Sequence, residues 1–142
     1  MSIETGQVLT LNMQVNNNGI ILYSHPYLVL FVSKTYIEIA QMDSLKGKEY
    51  KAMRKSNKTI FCDNPTETVI DEDSYVQLDN LFRIEYFEEL TKLRRQKDKL
   101  SKQKFDDVLS AYVQYQKNHL IDEDKQVYMF KNEIIAINNR LQ

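Results

Sequence analysis

Residues 27–32 read Tyr-Leu-Val-Leu-Phe-Val, six apolar side chains in succession, with His25 and Pro26 directly ahead of them. A strand with one wet face alternates apolar and polar residues, whereas an unbroken β-branched and aromatic run belongs to a strand covered on both faces. Pro26 stands at the predicted strand entrance, where a missing amide donor costs least. Working outward, residues 7–15 (QVLTLNMQV) alternate as a strand, and the NNNG that follows is turn chemistry, because Asn and Gly tolerate positive φ. Residues 20–23 then form a short strand. Beyond the central run, residues 36–42 (YIEIAQM) alternate again and are predicted to deliver Asp43 and Ser44 into a loop ending at Gly47. Residues 59–62 and 74–78 are further short strands, separated by an acidic, Pro-containing connection. So many short strands at close spacing imply a small barrel or a strongly coiled sheet.

From residue 85 the apolar period changes from two to that of a helix, and the spacing predicts a helix over 85–100, rich in Glu, Lys, Leu and Arg. Ser101 restarts the pattern as an N-cap, followed by Phe105, Val108, Leu109, Tyr112 and Val113 on one helical stripe. The last stretch, opened by Asp122 or Asp124, carries Val127, Phe130, Ile134, Ile137 and Leu141 at steps of three and four. This short heptad seam can dock on the protein itself or pair two copies. The expectation is an α+β chain forming one domain over 1–142, with a β-barrel portion over 1–84 and two or three helices over 85–142.

A formal net charge of -1 argues against a strongly electrostatic nucleic-acid binder, since phosphate neutralisation by Lys and Arg supplies most non-specific affinity. Charge is nevertheless segregated. Acidic residues collect over 63–73 and 122–124, while Lys92, Arg94, Arg95, Lys97, Lys99, Lys102 and Lys104 form a basic run that reads as the wet face of a helix. Cys62 is the only cysteine, which excludes an intramolecular disulfide and a Cys-based zinc site; it is read as an apolar filler. His119 falls near a helix end, where a cation is stabilised by the dipole. No signal-like amino terminus and no bilayer-length apolar run occur, so the expectation is a cytoplasmic protein without a membrane partner. A Gly-rich phosphate loop, HExxH, GxSxG and clustered metal ligands are all lacking, and no metal or cofactor is expected.

His25-Pro26 ahead of a long aliphatic strand, a second strand ending in Ser44, and SYVQLDNLFRIE at 74–85 leading into helices resemble, in joint order, the MazF/PemK/Kid family of toxin ribonucleases. The similarity runs from Gly6 to the helix around 105–115. Thr5-Gly6-Gln7-Val8 matches the family's opening strand, Ser44 its Thr or Ser after the next strand, and Asp79 its Asp after a late strand. His25 stands where the family usually has Arg, and Phe82, with Arg83 one step later, where it has a basic residue.

The resemblance implies an SH3-like barrel and metal-independent, sequence-selective cleavage of single-stranded RNA. In that scheme His25 is a catalytic base for the ribose 2′-OH, a task suited to an imidazole that titrates near neutrality. Ser44 would be a second catalytic residue, hydrogen-bonding the phosphate, with Lys46 or Lys48 offsetting developing charge. Asp79 and Arg83 would fix a base or a backbone position, and Tyr27, Tyr36 or Phe82 would offer a stacking face. The implied partners are the RNA substrate, a cognate antitoxin made of peptide or RNA, and a second copy in a homodimer. Two alternatives stand beside this reading: a non-catalytic RNA- or protein-binding module, and an adaptor working through the carboxyl-terminal seam.

Overall fold

A computed structural model of the chain describes residues 2–64, 66–96 and 98–142, so that Pro65 of the acidic connection and Lys97 of the basic run lie outside the described residues. In chain order the strands are β1 (Val8–Gln14), β2 (Ile21–Val32), β3 (Tyr36–Ser44), β4 (Asn57–Ile60), β5 (Ser74–Gln77), β6 (Leu81–Glu85) and β7 (Gln126–Met129). The two α-helices are α1 (Lys102–Asn118) and α2 (Lys131–Ile137). The architecture is α+β: one seven-stranded sheet carries helices of the second half on its faces.

Strands β1, β2 and β3 form an antiparallel meander. The far edge of β3 is shared, its first half pairing with β6 and Met42 to Ser44 pairing with β5, which in turn carries β4. Between β5 and β6 the chain bulges at Leu78, Asp79 and Asn80. The freed carbonyls of Leu78 and Asn80 accept from the Gln116 side-chain amide of α1 at 2.8 and 3.0 Å, as buried backbone acceptors require. β7 joins β6 in parallel. No ladder among the described residues links β1 to β4 or β7, so the sheet is open rather than closed on itself.

The first four residues of the central run are buried as its composition dictates, while Phe31 is exposed. Tyr27 and Val29 enter the core beneath Phe87, Leu90, Leu93 and α2, while Leu28 and Leu30 enter the core beneath α1. The strand begins earlier than predicted, however. Ser24, at φ 48°, turns the chain, and His25 and Pro26 lie inside β2 opposite Leu11 and Thr10. Pro26 is tolerated because the ladder with β3 starts only at Tyr27. Asp43 and Ser44 likewise end β3, opposite Tyr75 and Ser74, and are not in a loop.

The largest departure is the helix expected over 85–100. Residues 81–85 are strand β6, Glu88–Leu93 is a 3-10 turn, and the chain then bridges β1 at Arg94. The Arg95 N–H donates to the Val8 carbonyl at 2.7 Å and the Leu100 N–H to the Gly6 carbonyl at 2.9 Å. The cause is which core each leucine joins. Leu90 and Leu93 bury on one face of the sheet and Leu100 on the other, so the chain must cross the β1 edge, which a continuous helix cannot do. Tertiary burial overrides helix propensity here.

Helix α1 starts as read, with Ser101 Oγ accepting from the Lys104 N–H at 3.4 Å. Its buried stripe is Val108 and Tyr112, flanked by Phe105, Leu109 and Tyr115; Val113 faces solvent. The carboxyl-terminal seam is not one helix but β7 followed by the seven-residue α2. Val127 and Ile134 are buried in the protein's own core, and Phe130 is exposed. No helix among the described residues is long and apolar enough to cross a membrane.

Candidate functional site

Four separate segments converge on a cavity of 260 Å³: Ser24, His25 and Pro26 of β2; Met42, Asp43 and Ser44 at the end of β3; Asp71, Glu72 and Ser74 leading into β5; and Arg95 from the segment crossing β1. The meander explains the first two, since antiparallel neighbours bring the start of one strand beside the end of the next. β5 adds Ser74 opposite Ser44.

His25 is half-buried, its ring edge-on to Tyr27 at 6.1 Å between centroids, and its Nε2 is buried without a hydrogen-bond partner among the described residues. Burial pushes its pKa below 6.5, only partly opposed by the Asp43 charge and the Met42 carbonyl. Burial thus favours the neutral imidazole, the form that can accept a proton. Asp43 receives the Lys48 ammonium at 2.6 Å and the Ser44 N–H at 2.8 Å. Burial pushes the Asp43 carboxyl upward, but these two bonds and the charges of Lys48 and His25 outweigh it and hold its pKa below the usual range. Ser44 Oγ accepts from the Lys46 N–H at 3.0 Å, which leaves its own proton free to donate. The Arg95 guanidinium reaches Asp71 only loosely, at 3.8 Å.

The residues selected from the sequence thus divide. His25 and Ser44 line the cavity, and Lys48 adjoins it through Asp43. Lys46 lines a different hollow, with Leu45, Glu49, Ala52, Thr59, Phe61, Glu72 and Asp73. Tyr27 is completely buried, its ring against Phe82 at 6.4 Å, and offers no face to a nucleobase. Asp79 sits on the bulge between β5 and β6 and binds Lys125 at 2.8 Å, outside the cavity. Arg83 projects from the opposite face of β6 to Phe82, held by Glu38 at 2.9 Å and lying 4.8 Å from the Tyr36 ring centroid. His119 caps α1, with Nδ1 3.1 Å from the Tyr115 carbonyl and its ring stacked on Tyr115.

Beyond His25 and Ser44 the cavity is lined by residues that sequence reading does not select, Arg95 and Ser74 among them. Arg95 carries no local signal, because its place depends on the chain crossing the β1 edge; Ser74 could be found from the pairing of two predicted strands. Among the described residues no group of three or more His, Cys, Asp or Glu side chains is placed to hold a metal ion. What the cavity offers is an imidazole, three serine hydroxyls and a guanidinium beside three carboxylates, and the first three kinds of group can move a proton beside an anionic substrate. Compared with protein-family models, with curated proteins and with solved structures, the chain matches none.

Proposed function

We propose that the protein is a toxin of a toxin-antitoxin pair, a cytoplasmic endoribonuclease that cuts single-stranded RNA without a metal. The observation that carries this reading is the meeting of His25 and Ser44, far apart in sequence, in one cavity with Arg95. In the proposed reaction His25 takes the proton of the ribose 2′-OH, and the 2′ oxygen attacks the adjacent phosphorus. The bond from phosphorus to the 5′ oxygen breaks, leaving a 2′,3′-cyclic phosphate on one fragment; water returns a proton to the 5′ oxygen of the other. The Ser44 hydroxyl donates to a non-bridging phosphate oxygen, where a well-placed donor is worth about 3 kcal/mol in the transition state. Lys48 acts at one remove, through Asp43. The reading treats the bent sheet, whose third strand passes from one set of partners to another, as an opened SH3-like barrel. It also carries a cognate antitoxin of peptide or RNA and a homodimer as partners.

A second reading, a binding module without turnover, has one observation in its favour. Asp43, Asp71 and Glu72 stand in the same cavity and repel phosphate. Induced expression of wild type and His25→Ala, with growth followed and RNA fragments end-mapped, separates the two. The nuclease reading expects growth arrest and cyclic-phosphate ends from wild type and neither from the variant at equal protein level. Intact RNA with wild type leaves the binding module.

A further inference from the structure

Arg95 has no part in the sequence motif, yet it is the one permanently charged cation among the described residues lining the His25 cavity. Its backbone is fixed independently of its side chain. The Arg95 N–H bonds the Val8 carbonyl at 2.7 Å, and the neighbouring Arg94 bridges Leu9, so the segment lies as an extra edge along β1. The side chain is not committed to the core. It is 38% exposed, and Asp71, its ion-pair partner at 3.8 Å, is 77% exposed. That separation is too long for a hydrogen bond, and an exposed pair of this kind contributes little. Arg83, the basic residue nearest the motif in sequence, is by contrast held by Glu38 on the other face of β6.

We propose that Arg95 is the phosphate-binding residue of this cavity, leaving Asp71 to make a two-pronged contact with the RNA phosphodiester beside His25. The inference rests on the ribonuclease reading and names the group that holds the substrate there. A guanidinium presents paired N–H donors that match two phosphate oxygens, which an ammonium cannot do. Asp71 then serves as a competitor that keeps Arg95 over the cavity while no phosphate is present.

The test uses the full chain and a 2′-O-methyl oligoribonucleotide, which binds but cannot be cut. Arg95→Ala should weaken binding about tenfold at 0.1 M salt and reduce the slope of log affinity against log salt by about 0.7, the value for one lost phosphate contact on a single strand. Arg95→Lys should restore the slope but not the full affinity. Asp71→Asn should bind more tightly than wild type, because the competitor is gone. Lys99→Ala removes the same charge from the same segment, outside the cavity, and should leave binding within about twofold, since exposed charges at a distance are screened. Equal binding by Arg95→Ala and wild type overturns the role of Arg95, while cleavage dependent on His25 would still uphold the nuclease. Failure of wild type to bind or cut RNA overturns both. Unchanged melting temperatures across the set exclude misfolding as the cause.

Discussion

Replacing Asn138 with Ala tests how the site's entrance is built. The β1–β2 register slips between Leu11 and Met13, so Asn12 is left without a register partner in β2. Asn138, only 4% exposed, supplies what the slip removes. Its Oδ1 accepts from the Asn12 N–H at 2.8 Å, and its Nδ2 donates to the Asn12 carbonyl and the Ile134 carbonyl, each at 2.9 Å. The Asn12 side chain in turn donates to the Ile137 carbonyl at 2.7 Å and accepts from the Ser24 N–H at 2.7 Å, holding the residue at φ 48° that leads into His25. Ala at 138 removes three hydrogen bonds and strands backbone groups that are part-buried. At about 1 kcal/mol for each bond the loss is roughly 3 kcal/mol. For a chain of 142 residues that corresponds to a fall in melting temperature near ~10 °C. Thermal and urea unfolding followed by circular dichroism measure it, and a cycle with Asn12→Ala should show coupling above about 1 kcal/mol, since the two side chains act on one bulge. A variant melting within ~2 °C of wild type would refute the view that this pair holds the bulge.

Three further outcomes are expected. Because burial lowers the His25 pKa in the folded protein, the unfolded chain takes up the proton first. The associated stability is complete above 6.5 and is lost as pH falls through the depressed folded value. Urea midpoints at pH 7.5 and 5.0 should therefore fall further for wild type than for His25→Gln, and parallel behaviour would contradict this. Gly6→Ala should destabilise by about 1–2 kcal/mol, since φ is +87° and a Cβ would stand 3.3 Å from that of Lys99 where Leu100 docks; an unchanged urea midpoint would count against it. Tyr27→Phe deletes a buried hydroxyl that has no partner among the described residues, so stability should stay level or rise by up to ~1 kcal/mol. RNA affinity should not change, and a drop would return Tyr27 to the substrate.

The strands were legible wherever burial imposes a simple pattern. Residues 27–32 announce a strand covered twice, and two cores do lie on the two sides of residues 27–30, whereas Phe31 is exposed. What was not legible is where the chain passes from one core to the other. Glu85 to Leu100 has the composition of a helix, and nothing local records that Leu93 and Leu100 belong to opposite faces. The same holds at the carboxyl terminus, where Val127 and Ile134 fit a heptad but reach one core from a strand and from a short helix. One consequence concerns the adaptor reading: truncation after His119 would strip β7 and Ile134 from the core, so loss of function there would report unfolding rather than a lost docking seam.

The site divides along the same line. His25 and Ser44 could be paired from strand order alone, because consecutive antiparallel strands bring their ends together. Asp79 and Arg83 could not be placed, because a bulge points one outward and strand alternation turns the other to the far face. The bulge and the crossing also set the electrostatics. Asp43 is matched by Lys48, and Arg95 must then stand against both Asp71 and Glu72. Such a cavity is close to neutral or slightly acidic, so it attracts an anion weakly by charge alone, in keeping with a net charge of -1. In the proposed ribonuclease, selectivity would therefore rest on fit. Under that proposal a phosphate that enters would have to displace Asp71 from Arg95 while placing its neighbouring 2′-OH within reach of a half-buried imidazole, and a strand that cannot meet both demands would gain nothing from being an anion.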